Sequence, residues 1–436
     1  MFNIMGDTLF LHPGREEYVV KRKRGLYLMV MGLFFIICIA SDVHGAGFGI
    51  FTQGASELGQ ADATVAHGDT PSVIFFNPAL INGLSGTQIE NGATLLFPSR
   101  KFSSFGDGSS QTKSKVYYPA TIYLTHKVSD TVSTGIGIFS PFGLGTDWPA
   151  DWEGRYIATK SEMKTFTFNP VVSFKVTRNI TLAAGLDYLL LSAKLEKKID
   201  MTVFDPVLPD ASQTFKTRGT NDGWGYNLGA LFDLGKGFSA GISYRSSIFV
   251  DIKGSVHHEL PSGAPAALFP DTTGKTNIRL PQQFNAGIAY TGLAPLTVEA
   301  GMRWEGWHSF RELRIDLDQP IAGNSSSVSP RNWKDTYSFM VGGKYDLTPN
   351  IAMLAGYLYS GNPVPDSTFE PSIPDAKVQL FSIGTDLRFK KMKFSIAYGY
   401  QKYQKNAKNN SIGGGDANGT YRSDINILGV SVAYAF

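Results

Sequence analysis

The chain is short of three things, and each shortage closes off a class of protein. Cysteine occurs once in 436 residues, as Cys38, which leaves no disulfide framework and no cysteine-built metal centre. No apolar run reaches the roughly 20 residues that a membrane-spanning helix needs, and a mean hydropathy of -0.08 is far too polar for a helical membrane bundle. Charge is scarce as well: 18% of the residues are Asp, Glu, Lys or Arg, and the formal net charge is +3. That is not the basic footprint of a nucleic-acid binder. Combined with 13% aromatic residues, it also excludes the low-hydrophobicity, high-charge signature of disorder. What is plentiful is Gly (47), Phe (30) and Tyr (19). The length would ordinarily suggest two or three domains, but large barrels run this long as one.

The first 45 residues have the order of an export signal. Lys21-Arg22-Lys23-Arg24 is followed by an apolar stretch from Gly25 to Ala40, then Ser41, Asp42 and the small-residue site Val43-His44-Gly45. A charged, an apolar and a cleavable region in that sequence predict a secretory signal peptide over residues 1–45, cut after Gly45. Its removal takes Cys38 and leaves a net charge of +2 on a thiol-free chain. Bulky Ile37 before Cys38 argues against a lipoprotein, so the mature chain is expected to be exported and unlipidated.

Beyond residue 86 the chain alternates. From 237 to 253, Phe238, Ala240, Ile242, Tyr244, Ile248, Val250 and Ile252 share one parity, while Ser239, Gly241, Ser243, Arg245, Ser247, Asp251 and Lys253 share the other. The same period appears at 294–306, at Met392 to Tyr400 and at Leu428 to Phe436. Period-two alternation puts one face of a strand in an apolar medium and the other in a polar one. A soluble sandwich also alternates, but its strands average about five or six residues, and these run to twice that. Long strands, apolar outside and polar inside with aromatic ends, are the mark of a transmembrane barrel. Short turns fall near residues 128–131, 177–179, 235–237, 291–294, 348–350 and 390–391. Seven longer Gly/Pro/Asp/Asn-rich connections separate them. Thirteen connections join fourteen strands, and their short/long alternation predicts periplasmic turns against extracellular loops. The expected fold is therefore an all-β, fourteen-stranded antiparallel barrel over residues 87–436.

A barrel of that size encloses a lumen wider than its own side chains can fill. Residues 46–86 lack alternation and are dense in Gly, Ala, Ser and Asp, and Asn77-Pro78-Ala79 makes a rigid turn. They are expected to form an N-terminal plug inside the lumen.

At this point the residues resemble a known family. Ala46-Gly47-Phe48, Gly54, Gly59 and Asn77-Pro78-Ala79 look like the hatch of the FadL-type long-chain fatty acid transporters, which include TodX-like hydrocarbon channels. The likeness continues through Ser140-Pro141-Phe142-Gly143, Trp152-Glu153-Gly154-Arg155-Tyr156, Trp333-Lys334-Asp335, Ile373-Pro374-Asp375 and the terminal Tyr434-Ala435-Phe436. It implies passive uptake of long-chain fatty acids or similar hydrophobic compounds across the outer membrane of a Gram-negative bacterium. Ligand would be caught between extracellular loops, pass to an internal pocket, and leave through the barrel wall after the hatch shifts. Apolar loop residues offered for capture are Phe204, Val207 and Leu208 in one loop and Leu260, Leu268 and Phe269 in the other. A carboxylate would be met by Arg155, Lys194, Arg331 or Lys334. The lateral gate, a kink in the third strand, would fall at Gly135 and Gly137, where a glycine-bearing strand can bend. The family's carboxylate-binding residues do not align clearly onto this chain, which leaves room for an uncharged aromatic hydrocarbon as ligand.

The sequence argues against an enzyme and against an open porin. Gly237-Phe238-Ser239-Ala240-Gly241 matches G-x-S-x-G, but that motif needs a strand, a sharp turn and a helix, and here it opens an alternating strand. The His257-His258 pair has no further ligand at metal spacing. Neither an enzyme nor a cofactor or metal is expected. A general porin would have no need of the plug. Expected surroundings are outer-membrane lipid and lipopolysaccharide, with no nucleic-acid partner and a monomeric chain.

Overall fold

The alternating segments become hydrogen-bonded strands wherever one parity can face lipid. The computed structural model describes residues 47–436, so the signal segment and Ala46 lie outside the described residues. Fourteen strands make the wall. The first seven are β1 (Thr87–Ser104), β2 (Ala120–Lys127), β3 (Val132–Phe139), β4 (Lys160–Lys175), β5 (Ile180–Ile199), β6 (Asn221–Gly235) and β7 (Phe238–Arg245). The rest are β8 (Gln283–Leu293), β9 (Leu296–Glu305), β10 (Thr336–Thr348), β11 (Ile351–Ser360), β12 (Val378–Phe389), β13 (Met392–Tyr403) and β14 (Gly419–Ala435). Each pairs antiparallel with the next, and β14 closes on β1 from Gln88↔Ala435 to Ser104↔Gly419. Closure leaves no edge strand to template aggregation. The expected fourteen strands and short/long connections are thus present.

Parity sorts the side chains as a membrane wall requires. On β12, Phe381, Ile383 and Leu387 are exposed while Leu380, Ser382 and Asp386 are buried; on β14, Leu428, Val430 and Val432 face out while Ile427 and Ser431 face in. The stretch 237–253 needs a correction, because it is not one strand. β7 ends at Arg245, and Ile248–Glu259 is a separate strand pairing with Thr272–Leu280 and Ala211–Thr217 above the barrel. The apolar parity runs through the break but changes its surroundings. Ile242 below it is exposed to lipid, whereas Ile248, Val250 and Ile252 above it are buried in the extracellular core. A second hairpin, Glu312–Ile321 with Asn324–Pro330, extends this upper sheet.

Residues 47–86 fill the lumen with short elements: helix α1 (Ala55–Gly59), helix α2 (Val73–Phe76) and a 3-10 turn at Pro78–Gly83. Their backbone lies directly on glycines of the wall. A Cβ on Gly241 of β7 would sit 2.0 Å from the Val65 carbonyl oxygen, and one on Gly342 of β10 would sit 2.4 Å from that of Gln60. Glycine in the polar parity is therefore what lets plug backbone and wall backbone touch.

Polar anchors then fix the plug. Glu299 of β9 accepts the backbone N–H groups of Val65, Ala66 and His67 at 2.5, 2.8 and 2.9 Å. Asn77 donates to the Val65 and Ala230 carbonyls and accepts from the Ala79 N–H, so the Asn-Pro-Ala turn ties two parts of the plug to β6. At the short-turn end, Asp69 meets Lys344 of β10 at 2.6 Å, Lys393 of β13 at 2.7 Å and Arg388 of β12 at 3.0 Å.

Candidate functional site

The first residues of the plug are held differently from the rest. Phe48 is buried in a nest of rings: Trp307 at 4.6 Å between centroids, Trp333 at 5.5 Å, Phe310 at 5.8 Å and Phe142 at 6.1 Å. Gly47 reaches this nest because it is glycine; its φ is +60°, and a Cβ would fall 2.6 Å from the Trp307 ring. Its N–H donates to Asp375 Oδ2 at 2.9 Å, from the loop between β11 and β12. Burial pushes the Asp375 carboxyl up to about 7, against the pull of the Ala376 and Gly47 N–H groups and Arg100.

The same segment completes the wall where β3 ends. Between Phe139↔Thr167 and Gly143↔Lys164, four residues on the β3 side step against three on β4. The surplus residue bulges the wall at Ser140-Pro141-Phe142. Backbone groups freed there must find partners, and the plug supplies them. Ile50 N–H donates to the Pro141 carbonyl at 2.8 Å and Gly143 N–H to the Phe48 carbonyl at 2.9 Å, while the Gln53 side chain donates to the Ser140 carbonyl at 2.7 Å.

On its other side the bulge leaves a seam. Pairing of β2 with β3 stops at Ile122↔Ile138. Above it, residues 112–119 bond to β1, with Tyr117 bridging Leu96, and residues 143–147 bond to β4. The seam is capped at the top by Lys113 N–H to the Asp147 carbonyl and crossed by Arg100 to the Gly145 carbonyl at 2.6 Å and Lys115 to Glu162 at 2.7 Å. Tyr117 lies over it: a Cβ on Gly145 would fall 2.1 Å from the Tyr117 ring.

Two cavities meet at Phe48. The outer one, about 450 Å³, lies under the extracellular hairpins and is lined by Leu191, Leu195, Phe215, Ile278 and Phe310, with Lys197, Arg331 and Glu370 among its polar groups. The inner one, also about 450 Å³, is lined by Ile50, Phe51, Phe142, Leu380 and Ile427 and by Asp62 and Arg303. It extends to Tyr117, Gly145 and outward-facing Phe166, so it reaches the seam. Phe48 lines both.

The residues singled out from the sequence sort unevenly. Gly47 and Phe48 sit at the centre of this arrangement, whereas Asn77-Pro78-Ala79 lines neither cavity and anchors the plug to β6. Phe204 packs edge-on against Phe269 at 5.9 Å, and Leu208 and Leu260 pack against the extracellular core. Val207 and Leu268 remain exposed. None of these six lines either cavity. Of the four cations, Arg155 pairs with Asp210 at 2.6 Å and Lys194 pairs with Glu196; neither reaches the cavities. Arg331 lines the outer cavity but is paired with Glu370, and Lys334 is on the outer rim. Sequence reasoning missed Lys197, which lines the outer cavity and forms no ion pair among the described residues. Gly135 and Gly137 stay fully paired to β2 and β4. The wall departs from regularity at 140–142 instead, because the extra residue lies there.

A closed fourteen-stranded barrel, lipid-facing outside, plugged by its own N-terminal segment and carrying apolar cavities on either side of it, defines an outer-membrane transport protein. Residues 36–436 match the model of the outer membrane protein transport protein family (OMPP1/FadL/TodX), and the chain belongs to that family. A "Long-chain fatty acid transport protein" of Salmonella typhi is 23% identical over 382 residues, covering 82% of this chain and 87% of the relative. Among solved structures, a Pseudomonas aeruginosa FadL homologue superposes with a TM-score of 0.79 at 21% identity, covering 90% of this chain and all of the other. The P. putida toluene transporter TodX superposes at 0.70 with 17% identity, covering 90% and 98%.

Proposed function

We propose that the protein carries long-chain fatty acids or similar hydrophobic molecules passively across the outer membrane, as a single chain and without catalysis. The observation that carries this reading is the double duty of residues 48–50. Phe48 lines both the outer and the inner cavity, as do Leu144, Met163 and Ile373, and the backbone around it completes the bulged wall. A molecule filling the outer cavity competes with Phe48 for the same rings. Once the segment moves, the two cavities join, and the bulge loses the partners that hold it beside the seam. Each buried CH₂ contributes about 0.8 kcal/mol, so a long chain in an apolar cavity would leave slowly unless such a movement opened a way out. The exposed apolar tips at Val207 and Leu268 would catch ligand first.

For the polar end of a fatty acid, Lys197 replaces the four cations suggested by the sequence. A carboxylate beside it would form a charge-assisted hydrogen bond. A fatty acid is then expected to bind about tenfold more tightly than the alcohol of equal chain length, and Lys197→Met should erase the difference without weakening the alcohol. Equal affinity of the parent protein for acid and alcohol would instead favour an uncharged ligand. The second reading, hydrocarbon uptake, has its own support: Arg155, Lys194 and Arg331 are all neutralised by carboxylates.

Exit through the seam predicts a role for the Tyr117 ring. Tyr117→Ala should speed release of a preloaded fluorescent fatty acid into surrounding lipid vesicles roughly tenfold, with binding at the outer cavity little changed. An unchanged release rate would place the exit elsewhere.

A further inference from the structure

We propose that the extracellular rim above β10 to β13 binds the phosphate groups of an anionic outer-leaflet glycolipid. The proposal depends on the outer-membrane location and not on which molecule crosses the barrel. A cleft of about 420 Å³ opens there, separate from both transport cavities, and its lining includes Lys334, Lys377, Lys405, Asn362, Gln404 and one carboxylate, Asp366. Lys334 and Lys405, neither of which forms an ion pair among the described residues, outnumber the one carboxylate of the lining.

Its walls are tied by backbone: Lys334 N–H donates to the Pro363 carbonyl at 2.9 Å and Gln404 N–H to the Lys377 carbonyl at 2.7 Å. The cleft is thus formed without a ligand rather than assembled by one. Its orientation follows from strand parity. Lys377 continues the parity of Phe381 and Ile383 on β12, and Gln404 continues that of Ile396 and Tyr398 on β13, all four of which face lipid. These positions therefore project toward the membrane side, one step beyond the aromatic band that includes Tyr337, Phe381 and Tyr398. Polar headgroups of the outer leaflet lie at that height. Lysine serves phosphate as a compact charge with three donors, and several lysines on one cleft suit a ligand with more than one phosphate.

The test uses the full mature protein in detergent and measures binding of bisphosphorylated lipid A, of the same lipid after enzymatic dephosphorylation, and of inorganic phosphate. The parent protein should bind the phosphorylated lipid roughly tenfold more tightly than the dephosphorylated one. Lys334→Gln/Lys405→Gln should lose that advantage, Lys334→Arg/Lys405→Arg should keep it, and Lys391→Gln in a short turn at the opposite end should change nothing. Equal binding of the two lipids by the parent protein, or an unaltered preference in the glutamine variant, would overturn the proposal. Full competition by millimolar inorganic phosphate would overturn it too, since the cleft would then be a site for free anions.

Discussion

Phe48→Ala is expected to turn a closed barrel into a leaky one. Removing a buried aromatic side chain costs about 3 kcal/mol or more, here taken from the seat of the first few plug residues and not from the barrel. A loss of that size shifts a local seated-to-released equilibrium by on the order of a hundredfold. The two cavities, which share Phe48 as a lining residue, would then be continuous. Planar-bilayer recordings should show frequent openings that the parent lacks, and protease should cut among residues 47–53. Cutting should not extend further along the plug, because Val65 to His67 are held by Glu299 and Asp69 by three cations. Parent-like conductance and protection in Phe48→Ala would show that the ring nest does not close the path. Phe48→Leu, which keeps most of the apolar volume, should lie between the two.

The barrel could be read from the sequence because its determinants are local. Strand parity is set by neighbours two residues apart, and a short turn between two alternating runs states its own position, so fourteen strands could be counted from thirteen connections. The plug was legible by contrast, as the stretch without a period. What failed depends on residues far apart in the chain. The parity of Ile242 continues into Ile248 and Ile252 without a sign that lipid has given way to a protein core. The bulge at 140–142 arises from a residue count against β4, whereas Gly135 and Gly137 merely looked bendable. The head-group cations misled for the same reason. Arg155 and Lys194 attract attention as charges, but whether a charge is spent depends on Asp210 and Glu196 beside it. Asp375, noticed only as part of an Ile-Pro-Asp motif, gained a role when its loop came to lie on Gly47.

That contact makes release of the plug tip depend on pH, with a definite sign. Seated against Gly47 and buried, Asp375 keeps its proton up to about pH 7; released into water, it would ionise near its ordinary value of 3.8. Between those two values the seated state binds the extra proton. Its stability is therefore fully present below about pH 4, falls as the pH rises, and levels off above about pH 7. The upper bound on the change is on the order of 4 kcal/mol. Fluorescence of Trp307 and Trp333, which flank Phe48, should report more release at pH 8 than at pH 5. Asp375→Asn retains a neutral acceptor for the Gly47 N–H and should weaken that response. Asp62, lifted to about 7 by burial, with Arg303 pulling it down and Glu57 pushing it up, carries the same sign. It lines the inner cavity beneath the tip, so Asp375→Asn should keep only a weaker remnant of the tip response, and its global stability should still fall with rising pH. Release that increases toward acid, or a tip response undiminished in Asp375→Asn, would mean that another group governs the seat.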